Sequence, residues 1–136
     1  MTPQQRREIR DLGLVAAGAI PGALLRWRLE TITQTLVGGL SSLVAADLPA
    51  NMLGCLLIGL VLAQGPGRPR LALAAGIGFC GSLTTFSSWM LDLARALRTG
   101  SGVTAAAVLL VSLIGGLALV FLGYGLGQRL PRCRQG

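Results

Sequence analysis

Five hydroxyl side chains, Ser82, Thr84, Thr85, Ser87 and Ser88, fall within seven consecutive residues of the stretch GFCGSLTTFSSW (78–89). They are neutral donors and acceptors, and they lie inside a long apolar run. Two kinds of chemistry are open to them. Serine and threonine can bond back to their own helix while neighbouring glycines let other helices pack close. Alternatively the helix breaks here. A break in lipid leaves backbone groups whose exposure costs several kcal/mol each, so it survives where it is buried or lines a cavity, and freed carbonyls then serve as ion ligands. Asn51, in ADLPANMLGCLLIG, offers a cross-helix hydrogen bond or an uncharged donor that replaces part of an anion's hydration shell. Phe86 and Trp89, three residues apart, share a helical face and serve either packing or the presentation of a positive ring edge to an anion. Ser112 is a lone serine with the same two readings, and Gly115, Gly116, Gly123, Gly125 and Gly127 look like a helix-packing face.

Other chemistry finds little material. There is no histidine, which removes the commonest general base and metal ligand. Cys55, Cys80 and Cys133 are widely spaced and odd in number, a pattern of neither a disulfide framework nor a zinc site. No paired acids and no nucleophile–base pair stand out, so no enzyme is expected. Proton-coupled transport usually relies on an intramembrane carboxylate or histidine. Polar but neutral groups at mid-membrane suit passive passage of a small ion better.

The elements that must position these groups follow from composition. The 136 residues leave room for one domain, 52% of them are hydrophobic and only 12% charged. A soluble domain this small needs a polar shell that the chain cannot supply, which makes it an all-α integral membrane protein. Four apolar spans are expected, at about 12–32, 43–64, 70–98 and 103–128, joined by the breaker-rich GPGRPR and RTGSG. The first contains Pro21 and is read as retained rather than as a signal peptide. The third is too long: its apolar core of about 27 residues gives roughly 40 Å of helix against about 30 Å of hydrocarbon. Tilt absorbs the excess, or a break near its centre does. All twelve basic residues are arginines placed between the apolar runs. The net charge of +7 therefore reads as headgroup anchoring rather than nucleic-acid binding. Eight arginines on the side of the termini against four on the other favour termini in the cytoplasm.

At GFCGSLTTFSS the sequence resembles the Fluc (CrcB) fluoride channels, whose signature reads close to GFxGGxTTFSTF. GAIPGALLRW (18–27) is similar to the family's GGxxGAxxRY, and Asn51-Met52-Leu53-Gly54 with Gly59 to its VNxxGxxxxG. The resemblance implies a dual-topology, antiparallel homodimer of four-helix subunits with a third helix broken at mid-membrane. A paired, oppositely oriented paralogous chain is the alternative partner. It implies a fluoride-selective channel in the bacterial inner membrane that confers fluoride resistance, with a structural sodium ion at the dimer centre. Carried over by position, Gly81 and Thr84 would give backbone carbonyls to the sodium. Asn51 would donate its amide to fluoride, Phe86 would present its ring edge, and Thr85, Ser87 and Ser112 would line the polar track. Arg26 would sit near a vestibule or hold the first span in place.

The chain departs from the family pattern at three places. Trp89 replaces a second phenylalanine of the pathway, Val108 replaces a tyrosine four residues before Ser112, and Asp47 replaces a threonine near the pore mouth. Two other classes fit a small four-span protein. A multidrug/proton transporter needs a carboxylate in the first span, and Leu12 to Leu25 has none. A non-conducting assembly subunit would tolerate substitution of Asn51 and Phe86.

Overall fold

The structure, a computed structural model, describes residues 1–36 and 47–129. Residues 43–46 of the expected second span lie outside the described residues, as do Arg132, Cys133 and Arg134. Among the described residues the regular structure is all helical. It comprises α1 (Pro3–Leu36), α2 (Leu48–Leu62), α3 (Pro69–Leu71), a π-helix α4 (Ala72–Cys80), α5 (Gly81–Leu83), α6 (Ser87–Arg98) and α7 (Gly102–Arg129). Three stretches are long and apolar enough to cross a membrane: Pro3–Leu36, Pro69–Arg98 and Gly102–Arg129. The apolar Leu48–Leu62 is shorter.

Helix α1 begins ahead of its apolar stretch because Thr2 and Gln5 cap it reciprocally. The Thr2 N–H donates to Gln5 Oε1 at 2.8 Å and the Gln5 N–H to Thr2 Oγ1 at 3.3 Å, with Pro3 at the first helical position. This is a capping box. At 34 residues the helix is about 51 Å long, well beyond a hydrocarbon core of about 30 Å, so its arginine-bearing first turns extend past the apolar layer. Two turns need glycine. Gly65 closes the end of α2 at φ 74°, and Gly100 closes α6 at φ 75°. Around Gly100 the Ser101 N–H reaches Ala96 O and the Gly100 N–H reaches Leu97 O, both at 3.1 Å, the paired bonds of a Schellman motif.

The third apolar stretch is not one uniform helix. Residues 72–80 wind with i→i+5 bonds, continued where the Gly81 N–H reaches Gly76 O. Wider turns shorten the rise per residue and so compact this long segment. Regular winding then stops: Thr84 is extended (φ −85°, ψ 151°), and the helix resumes at Ser87.

Backbone contacts at glycine hold the helices together. Along α1, a Cβ on Gly18 would strike Ala74 O and lie 2.9 Å from Phe79 N, and one on Gly22 would strike Phe79 O and Ser82 Oγ. Between α2 and α7, Gly59 lies against Val120 O and Tyr124 N, and Gly123 against Leu56 O. Lipid tails are as apolar as leucine, so close backbone approach rather than exclusion of apolar surface drives this association. Of the glycines read as a packing face, Gly116, Gly123 and Gly127 are buried against α2, while Gly125 has nothing within 4 Å. The large apolar side chains point outward, and Leu83 is the one that is fully buried among the described residues.

Gly18→Ala should therefore force α1 and α4 apart at a cost of about 1–3 kcal/mol. Thermal unfolding in detergent is expected to show a midpoint lowered by several degrees. Gly13→Ala, where a Cβ meets nothing within 4 Å, is the control and should leave the midpoint unchanged or raised.

Candidate functional site

Thr84, Thr85 and Phe86 form the short non-helical link between α5 and α6, and α2 is shaped to receive it. Asn51 and Gly54, three residues apart, lie on one face of α2. Asn51 accepts the Thr85 N–H on Oδ1 at 2.8 Å and donates Nδ2–H to Thr85 O at 3.0 Å. One side-chain amide thus satisfies both backbone groups of Thr85. Gly54 leaves the space in which the Thr84 methyl sits. The spacing Asn-x-x-Gly has a plain physical reason here: the first residue bonds the link and the second makes room for it.

The Asn51 clamp has a consequence for the carbonyls. In a continuing helix the Thr85 N–H would reach Gly81 O. Here it goes to Asn51, so Gly81 O does not receive that amide. Gly81 has nothing within 4 Å of where a Cβ would stand, so this face of the backbone is open.

Beside the link runs an open groove of about 470 Å³. It brings together Asn51, Gly81, Thr84, Thr85, Phe86, Trp89 and Ser112, drawn from four helical segments and the link, and among the described residues no Asp, Glu, Lys or Arg lines it. Phe86 is 71% exposed and its ring lies 5.7 Å from that of Trp89, tilted by 49°. The Trp89 Nε1–H donates to Ser112 Oγ at 3.1 Å. The Thr84 hydroxyl donates to Cys80 O at 2.9 Å, and the Thr85 hydroxyl to Ser88 Oγ at 3.3 Å. Two sequence-predicted residues stand elsewhere: Ser87 is exposed at the start of α6, and Arg26 lies on α1 outside the groove lining. The cluster of hydroxyls therefore diverges. Ser82 turns toward Gly22 of α1 and donates to Phe79 O at 3.1 Å, while Ser88 faces a second cavity.

That second cavity, of about 220 Å³, is lined by Glu30, Gln34, Asp47, Ser88, Leu91, Asp92 and Arg95. Ser88, which lines this cavity, accepts the hydroxyl of Thr85, which lines the neutral groove. Asp47 and Asp92 are buried, and Arg95 Nη1 lies 3.4 Å from Asp92 Oδ1. Arg26 Nε is 3.3 Å from Glu30 Oε1, close enough for an ion pair, though its N–H is not aligned as a hydrogen bond. Of the two roles expected for Arg26, the contact made within α1 is this one to Glu30. Sequence reasoning missed Glu30, Asp92 and Arg95. The Arg26–Glu30 and Asp92–Arg95 spacings, four and three residues, were the available signal.

A groove of neutral donors beside a chain break held by an asparagine matches the motifs in the sequence. Residues 13–124 match the family described as CrcB-like protein, Camphor Resistance (CrcB). The chain belongs to the CrcB family. It is a multi-pass membrane protein with long apolar helices. Among its CrcB relatives is a protein of Parasynechococcus marenigrum (strain WH8102) named fluoride-specific ion channel FluC 2. It is 46% identical over 125 residues, covering 92% of this chain and 86% of the relative. The protein of the same name from Synechococcus sp. (strain CC9902) is 45% identical over 133 residues, covering 93% and 90%. Fluoride-specific ion channel FluC of Stutzerimonas stutzeri (strain A1501) is 40% identical over 124 residues, covering 88% and 98%.

Removing the Asn51 amide orphans both backbone groups of Thr85, at about 1–3 kcal/mol for each left buried without a partner. Asn51→Ala should lower the unfolding midpoint in detergent and speed amide exchange at Thr85. Asn51→Asp keeps an acceptor for the Thr85 N–H and should protect that amide better than alanine does.

Proposed function

We propose that this chain is a fluoride-selective channel that lets cytoplasmic fluoride leave passively and so relieves fluoride toxicity. The observation that carries the reading is the groove at residues 84–86: an amide, hydroxyls and two ring systems converge on it, and among the described residues no ionised side chain lines it. The names of the CrcB relatives, fluoride-specific ion channels, point the same way.

Fluoride is small and strongly hydrated. It leaves water only where hydrogen-bond donors replace its shell, and a fixed cation in the path would hold it too tightly to conduct. Asn51 uses one Nδ2–H on Thr85 O, and an amide nitrogen carries two, so one remains for an anion. Phe86, largely exposed in the groove, presents a ring whose edge is positive. Past Thr85 and Ser88 the path meets the cavity lined by Glu30, Asp47, Asp92 and Arg95, where water can take the ion back. In acid surroundings hydrogen fluoride crosses the bilayer and dissociates inside, and a negative-inside potential then drives the anion out through the groove.

The working unit in this reading is an antiparallel, dual-topology homodimer in the bacterial plasma membrane, or a pair with an oppositely oriented paralogous chain. Each subunit has four spans, α2 being the short one, with the third broken at mid-depth between Leu83 and Ser87. Sodium is the resident cation. Gly81 and Thr84 fit it by their chemistry: a hard cation prefers oxygen ligands, Gly81 O lacks the amide that a helix would bring, and the face at Gly81 is open to a second copy. When bound, sodium supplies a positive charge that offsets the cost of holding an anion nearby.

The test is fluoride efflux from liposomes carrying the purified chain, followed with a fluoride electrode. Rapid fluoride efflux with chloride excluded is expected. Phe86→Ile and Asn51→Asp should each slow it by about tenfold or more, the equivalent of about 1.4 kcal/mol, while the dimer still assembles. Proton-coupled drug exchange, or no ion flux at all, would contradict the reading.

A further inference from the structure

The groove's hydroxyls are not equivalent. Most serine and threonine hydroxyls with a resolved partner return their proton to a backbone carbonyl of their own helix: Thr31 to Trp27 O, Thr33 to Leu29 O, Ser82 to Phe79 O and Thr84 to Cys80 O. Thr85 gives its proton to Ser88. Ser112 differs. Its oxygen accepts the Trp89 indole N–H at 3.1 Å, and among the described residues its own proton goes to no protein acceptor. The direction of this bond is unambiguous, because an indole nitrogen can only donate, whereas a hydroxyl has one proton and two lone pairs.

We propose that Trp89 is a positioning residue that turns Ser112 into the groove's hydroxyl donor for the permeating anion. The proposal rests on the reading of the groove as a fluoride path and adds to it a residue that sets selectivity. The indole occupies an acceptor site of Ser112 and fixes where its oxygen stands. The remaining proton is then directed toward the groove that both residues line. A hydroxyl that accepts a hydrogen bond is polarised and donates the next one more strongly. The indole is itself held from two sides, by Ser112 on α7 and by the tilted ring of Phe86 at 5.7 Å. Its orientation is set before an anion arrives, so little ordering is left for the ion to impose. A strong, preset donor favours a small hard anion, with its high charge density, over a larger halide. Ser112 thus complements the remaining Nδ2–H of Asn51 across the same groove.

The test is a double-mutant cycle on the full chain in liposomes, with Trp89→Phe, Ser112→Ala, the pair, and Ser112→Thr, read as fluoride efflux against external fluoride and as fluoride-to-chloride selectivity. Trp89→Phe keeps an aromatic ring and removes the N–H. Each single change should weaken half-saturation by fluoride and lower selectivity about tenfold, as for loss of one strong hydrogen bond. The pair should be no worse than Ser112→Ala, and Ser112→Thr should stay close to the unsubstituted chain. In parallel, the indole N–H resonance of Trp89, read in a Trp27→Phe background, should move on Ser112→Ala and on addition of sodium fluoride, a signature that a packing role would not give. Unchanged selectivity in either single variant, additive losses in the pair, or an indole resonance indifferent to Ser112→Ala would overturn the proposal while leaving the channel intact. Absence of fluoride flux from the unsubstituted chain would overturn the channel reading and this assignment with it.

Discussion

Asn51 takes both the N–H and the C=O of Thr85, and most of the local architecture depends on that exchange. In hydrocarbon a helix is the default because it satisfies every backbone group from within, and each unsatisfied group costs several kcal/mol. A chain that leaves the helix at Thr84 needs an outside partner, and one amide on α2 supplies two bonds to a single peptide unit. Without it both backbone groups of Thr85 would lose their partner, and the link would lose its anchor to α2. The bond from the Thr85 N–H to Asn51 Oδ1 that makes half of the clamp also keeps that amide from Gly81 O.

The clamp holds its geometry only if α2 stands at a fixed distance from the third apolar stretch, and the glycines provide this. Gly54 seats Thr84, Gly18 and Gly22 bring α1 onto α4 and α5, and Gly59 and Gly123 lock α2 to α7. Those of Gly18, Gly59 and Gly123 are backbone contacts, which yield less than side-chain contacts do. A chain whose large apolar side chains mostly face outward, with Leu83 alone among those described fully buried, is fixed in place by such contacts rather than by a packed interior.

Much of this could be read from residue types and spacing. The run 78–89 stood out because hydroxyls and glycines are costly in an apolar segment unless they have a task, and Asn51 stood out as a lone amide. Both of its readings, the cross-helix bond and the spare donor, meet in one side chain, since the bond to Thr85 uses only one of its two N–H groups. Other features had no local signal. The π-helix at 72–80 is as apolar as an ordinary membrane helix, and only its own backbone hydrogen bonds show the wider winding. The second cavity gathers Glu30, Asp47 and Asp92 from three separate elements, and no window of sequence contains them together. The divergence of Ser82, Ser87 and Ser88 away from the groove follows from helical phase on either side of the link, which a count of hydroxyls cannot supply. The early start of α1 was not read from the sequence, because its signal, Thr2 and Gln5, lies outside the apolar segment.

The chemical division of the protein follows from these placements. Among the described residues neutral groups line the groove, whereas Glu30, Asp47, Asp92 and Arg95 line the neighbouring cavity. Solid-state NMR can measure the dipolar coupling between ¹³Cγ of Asn51 and the ¹⁵N of Thr85 in a lipid bilayer. A hydrogen bond from that amide to Oδ1 implies a separation of about 4 Å and strong dephasing. No dephasing between the two nuclei, with Thr85 showing the chemical shifts of a continuous helix, would contradict the account at its base.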